Sequence, residues 1–150
     1  MISVAVRFYG GACRSSPTEE TTMAKVSKQS AAKFEDWGPP GKEWSQVLDG
    51  QHVSFVEVGE DADLSPLLVG LPNDQCQCPH WGYVLKGRNW FRYGGSEELH
   101  EAGDAFYVPP GHTSGAFAGA EFVIFSPEKE MAEVQAHMER RVRELQTSAT

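Results

Sequence analysis

The stretch Cys76-Gln77-Cys78-Pro79-His80 places two thiols and an imidazole at every second position. In an extended strand, side chains at i, i+2 and i+4 share a face. The spacing therefore predicts that Cys76, Cys78 and His80 converge on one side. Thiolate and imidazole together are the donor set of zinc and related borderline metals. A bond between the cysteines explains the alternation less well, because positions two apart on a strand are separated by about 6.5–7 Å, the outer limit for a disulfide. Asp74 shares the parity if the strand starts early, although a loop role is its ordinary reading. Pro79 has no N–H and interrupts a ladder here. A fourth donor is available in His112, which emerges from the turn Pro109-Pro110-Gly111. A single buried Cys is usually a small core hydrophobe. Four donors from two segments point instead to a divalent metal ion, zinc first, with iron, manganese and nickel also compatible. An inert polar core or a reactive thiol is the alternative.

The number of donors decides the chemistry. If all four bind, the ion is coordinatively closed and structural. If Cys76 stays a free thiol, three protein donors leave a position for water or substrate, as at a catalytic zinc.

The elements that must position these residues are short. "HVSFVEV", "SPLLVGL", "HWGYVLKG", "NWFRYG", "DAFYVPPG" and "EFVIFSP" recur with Gly, Pro, Asn or Asp between them. Short strand-like runs punctuated by turns predict an all-β sandwich or barrel. If His80 faces inward, Trp81, Tyr83 and Leu85 face outward and need cover. A second subunit, a C-terminal helix or the 34–44 segment could provide it. After "EFVIFSP" the pattern changes. Ser126-Pro127 reads as a helix N-cap and first-turn pair, Glu128 and Glu130 suit the positive end of the dipole, and Met131, Val134, Met138, Val142 and Leu145 follow helical spacing. An amphipathic helix over 128–147 is expected.

Residues 1–40 are small, polar and non-periodic and read as a flexible arm. Met23 opens a segment that reads as naturally as a start, so residues 1–22 are expected to be an upstream extension. The breaker Gly38-Pro39-Pro40-Gly41 sets the barrel at 41–127.

The formal net charge of −8 counts against nucleic-acid partners, which need clustered Lys and Arg. No run approaches the roughly 20 apolar residues of a membrane span. Three cysteines without a spaced framework suit a reducing cytoplasm. Cys13 lies in the arm, and His52, His100 and His137 read as surface groups.

Two segments resemble the cupin family. The family's first motif runs Gly, five residues, His-x-His, then Glu, six residues, Gly; its second runs Gly, five residues, Pro-x-Gly, two residues, His. Here five residues separate Gly70 from Cys76, six separate His80 from Gly87, and five separate Gly103 from Pro109-Pro110-Gly111. The motifs are 15 residues apart, and the resemblance spans roughly 53–127. "GDAFYVPPGH" is its most specific part. Cys76 and Cys78 take the places of the motif histidines, His80 takes that of the glutamate, and His112 comes two positions earlier than the final histidine. The resemblance implies a double-stranded β-helix, or jelly-roll barrel, that is usually dimeric, with Cys76, Cys78, His80 and His112 as metal ligands inside. It implies either a metal-dependent enzyme acting on a small organic molecule in the barrel or a non-catalytic, ligand-sensing protein with a structural zinc. Tyr83, Trp90 and Tyr107 are the expected pocket residues, with Phe91 and Tyr93 beside them, and no catalytic residue is assigned.

Overall fold

The computed structural model describes residues 23–149; the expected extension over 1–22 and Cys13 lie outside them. Ten strands form two antiparallel sheets. They are β1 (Lys33–Asp36), β2 (Gly41–Leu48), β3 (Gln51–Val58), β4 (Ala62–Asp63), β5 (His80–Lys86), β6 (Arg88–Tyr93), β7 (Ser96–Glu101), β8 (Ala105–Val108), β9 (His112–Ala116) and β10 (Glu121–Pro127). One sheet has the order β1-β2-β3-β10-β5-β8 and the other β4-β9-β6-β7. Helix α1 (Ser65–Leu68) and a 3-10 turn at Pro72–Asp74 follow β4, and helix α2 (Glu128–Ser148) ends the chain. The turn-punctuated runs predict an all-β sandwich or barrel, helical spacing predicts the C-terminal helix, and the resemblance implies the jelly roll; all three are found.

Three local expectations are corrected. "SPLLVGL" is α1 and a turn rather than a strand, because Pro66, in the first turn, suits a helix start. Part of the expected arm is strand: β1 pairs along β2 from Lys33↔Ser45 to Asp36↔Lys42. Nearby, Lys28 bonds to Glu57 and Glu121 and lies over the Trp44 ring. The third concerns Ser126, which lies within β10, so that α2 starts after Pro127 without a side-chain cap. The helix is seated instead by the Glu128 N–H, which donates to Gly50 O.

Alternation fills the space between the sheets. His80, Gly82 and Val84 of β5 are buried, while Trp81, Tyr83 and Leu85 are exposed, as expected. Val58, Val84, Ala116, Ala120 and Phe122 form one buried cluster, with Phe106 and Ile124 packed against it. Each large apolar side chain so buried contributes about 1.5–3 kcal/mol. Gly82 is required for close approach: a Cβ there would lie 2.3 Å from the Phe106 ring. A second cluster, Leu68, Cys76, Cys78 and Val134 with Met131 and Met138, joins α2 to the end of the barrel. Met131, Val134 and Met138 are the first part of the predicted helical stripe; Val142 and Leu145, which continue it, are exposed.

Candidate metal centre

His80 and His112 open β5 and β9, and both are buried. The turn before His112 needs Gly111, whose φ is 92°, a left-handed conformation that glycine adopts freely. Cys76 arrives by a different route from the one the spacing predicts. β5 begins only at His80, so Cys76, Cys78 and His80 do not share one strand face. Cys76 instead makes an isolated bridge to His112: its N–H donates to His112 O at 2.8 Å, and its carbonyl accepts from Gly111 N at 2.7 Å. That bridge brings residue 76 beside residue 112.

One donor atom each from Cys76, His80 and His112 lies within 4.8 Å of the others. Cys76 Sγ is 3.6 Å from His80 Nε2, and the two imidazoles are 5.0 Å apart between centroids. Zinc bond lengths with tetrahedral angles put thiolate and imidazole donors about 3.5 Å apart, so the set fits a divalent ion. Each imidazole also holds its other nitrogen in a hydrogen bond. His80 Nδ1 is 2.7 Å from Ser126 Oγ, and His112 Nδ1 donates to Pro109 O at 2.7 Å. The Pro109 carbonyl can only accept, so it keeps the proton on His112 Nδ1 and leaves Nε2 as the lone-pair donor; the Ser126 hydroxyl fixes the His80 ring and can accept from Nδ1 in the same way. Electrostatics agree. Burial pushes the His80 pKa down to about 3, with His112 and His52 adding to the effect, and burial likewise lowers that of His112. Both rings are thus neutral at pH 7. Burial pushes the Cys76 thiol up, while a bound dication favours the thiolate.

Cys78 stands outside this group. It is fully buried among Leu68, Val134 and Cys76, and its thiol contacts Pro79 O. Burial first, then Cys76 and Glu130, raise its pKa to about 12. The physical reason is the bend at residues 77–79, where Pro79 has no N–H for a ladder and Cys78 turns toward α2. Both cysteines are free. Asp74 is a turn residue whose Oδ1 accepts from Gly70 N.

Of the expected pocket residues, Tyr107, Phe91 and Tyr93 line the cavity near this centre, whereas Tyr83 and Trp90 do not. That cavity, about 360 Å³, lies between the inner face of the β6–β7 hairpin and the end of β8; Glu98, His100 and Pro109 also line it. Tyr83 is exposed on the outer face of the larger sheet. Trp90 has the opposite parity to Phe91; it packs against Gly115 and beneath the Arg92 guanidinium. Phe91, by contrast, meets His112 edge-on with centroids 5.4 Å apart.

His100 is another correction. It is buried, stacked on Phe106 at 4.5 Å, and not a surface group. Nothing in the sequence marked it, because the residues that share its parity on β7, Ser96 and Glu98, are polar and exposed. His100 Nδ1 and both amide atoms of its register partner Asn89 are buried without a hydrogen-bond partner. Leaving a buried polar group unpaired costs about 1–3 kcal/mol.

No protein-family model and no curated protein matches the sequence. Solved structures do. An RmlC-like cupin from Shewanella frigidimarina NCIMB 400 aligns over 71% of this chain and 92% of its own, at 19% identity and a TM-score of 0.48. KdgF from Halomonas sp. aligns over 71% and 94%, at 20% identity and a TM-score of 0.50. A protein of unknown function from Rhizobium leguminosarum bv. viciae 3841 aligns over 70% and 95%, at 15% identity and a TM-score of 0.51. The last two, with the two-sheet topology, show a shared fold. The chain has a jelly-roll barrel fold like that of these structures, with a Cys-His-His donor group inside it.

Proposed function

We propose that this protein is a metal-binding cupin whose Cys76, His80 and His112 hold one divalent ion, zinc first, and that its barrel receives a small organic molecule. The carrying observation is that one donor atom each from Cys76, His80 and His112 lies within 4.8 Å of the others, while Nδ1 of each imidazole is held by Ser126 or Pro109. Three protein donors leave a coordination position open, and such an ion would supply Lewis acidity there. The chain's own residues position the donors and exclude water. All three donors are at least nine-tenths buried, which supports the second reading, a structural ion in a non-catalytic ligand-binding protein. A thiol donor requires a reducing setting, in keeping with a cytoplasmic location.

Elemental analysis of tag-free protein tests this: about one equivalent of transition metal is expected, lost in His112→Ala. Absence of stoichiometric metal would overturn the metal reading. Among loaded proteins, turnover or ligand binding separates the open site from the structural one.

A homodimer is part of the same proposal. Register pairing aligns Phe34, Trp44, Phe55, Val123 and Tyr83 in one outer row, and Val53, Phe125, Trp81 and Tyr107 in the next. Phe34, Trp81, Tyr83, Tyr107 and Phe125 are exposed, a contiguous face of the kind that marks an interface. Helix α2 packs elsewhere, at the Leu68–Cys78 end, and Phe34 and Trp44 extend this face instead of covering it. Lys28 lies over Trp44 at one end of this face, and a second copy would cover the part that the described residues leave exposed.

A further inference from the structure

We infer that the cavity between β7 and β8 is a binding site for an uncharged, hydroxyl-bearing ring compound, with His100 accepting the hydroxyl hydrogen bond. The inference rests on the reading above in taking the barrel as a small-molecule compartment; it names the ligand class and its anchor.

The cavity's place in the fold comes first. β7 and β8 are the free edges of the two sheets, so the jelly roll is open between them. The opening leads inward along Phe91, whose ring touches both His100, at 5.5 Å between centroids, and His112. Its volume of about 360 Å³ falls at the lower end of small-molecule sites, roughly 300–1,000 Å³.

The walls define the chemistry. Phe91, Tyr93, Tyr107 and Pro109 present flat apolar surfaces suited to stacking a ring. Glu98 is the sole charged residue among the lining, so a carboxylate or phosphate would meet no cation there. The buried anchor is His100. Its Nε2 faces Glu98 Oε1 at 3.5 Å, which favours the proton on that nitrogen and leaves Nδ1 as a lone-pair acceptor. That Nδ1 has no partner, and neither has the amide of Asn89 across the ladder. A water molecule could satisfy these atoms, but would leave the aromatic walls unexplained. A ligand hydroxyl satisfies Nδ1 while its ring occupies the walls.

Phenol is the simplest probe with this chemistry, and benzoate and toluene are its controls. Titration of ¹⁵N-histidine-labelled full-length protein, followed by long-range imidazole correlations, reads His100 directly. Phenol should shift the His100 Nδ1 signal saturably, with benzoate and toluene at least tenfold weaker. His100→Phe, which keeps the ring stack with Phe106 and removes the nitrogen, should weaken phenol at least tenfold and leave metal content unchanged. Phenol that leaves the His100 signal unmoved overturns the inference, as does benzoate or toluene binding as tightly as phenol. The wild-type titration stands even if the variant fails to fold. Metal content is measured on the same samples. Loaded protein that ignores phenol defeats this inference alone, and metal-free protein that binds phenol at His100 defeats only the metal reading.

Discussion

Ser126 Oγ and His80 Nδ1 lie 2.7 Å apart, both buried, on adjacent strands β10 and β5. The hydroxyl that would have capped α2 instead orients a candidate metal ligand. Ser126→Ala should lower metal affinity about 10–100-fold while circular dichroism stays unchanged. A competition titration against a chromogenic chelator reads the loss, and an unaltered affinity would show that Ser126 does not orient the ring.

The two cysteines should part company. Cys76→Ser is expected to abolish stoichiometric metal. Cys78→Ser should keep the metal but lose about 1–3 kcal/mol of stability, because a hydroxyl replaces a thiol in an apolar cluster. Metal analysis and urea melts on both variants check this, and equal metal loss from both would restore Cys78 as a ligand. Chelator treatment of the wild type should lower Tm, since an ion bound only by the folded state stabilises it.

Glu43 gives a pH signature away from the metal. It is buried on β2 and accepts a hydrogen bond from Ser54 Oγ. Burial is the largest cause of its pKa rising above the usual 4.5, against the Ser54 bond, which lowers it. A raised carboxyl favours folding in its protonated form. Its contribution is fully present below the unfolded pKa and is lost as pH rises through the folded one. Glu43→Gln should therefore raise Tm at pH 7 and change it little at pH 4. Thermal melts across that range decide it, and a variant less stable than wild type at pH 7 would contradict it.

Gly82→Ala should destabilise the barrel by about 1–3 kcal/mol, since the added methyl meets the Phe106 ring and Val123 O. Denaturant titration measures it. Because Phe106 stacks on His100, the same variant should disturb the His100 resonances.

Trp81→Glu should convert the proposed dimer to monomer with metal content retained, as Trp81 lies on the outer face, beside Tyr107 at 5.1 Å. Analytical ultracentrifugation reads the mass. A wild type that sediments as a monomer would remove the dimer.

Local pattern alone determined much of this protein. Alternation in "HWGYVLKG" put His80 inward and Trp81, Tyr83 and Leu85 outward, as β5 shows. Helical spacing placed Val134 and Met138 on the buried stripe of α2. Both are short-range consequences of backbone geometry, so neighbours in sequence carry them. Turn-punctuated runs gave an all-β barrel, and the resemblance of the two motifs to the cupin family implied the jelly roll.

What tertiary structure decided depends on partners distant in sequence. Cys76 joins the donor group because a backbone bridge ties it to His112, 36 positions on (112 minus 76), and Cys78 leaves it because the chain bends at Pro79. Parity counting assumes an unbroken strand and cannot foresee that bend. Ser126 looked like a helix cap until β10 carried it against β5. His100 looked solvated until the fold stacked it on Phe106 within the barrel. In each case the residue type was visible in the sequence. Its role was set by which strand lay alongside, a choice made by burying the whole core at once.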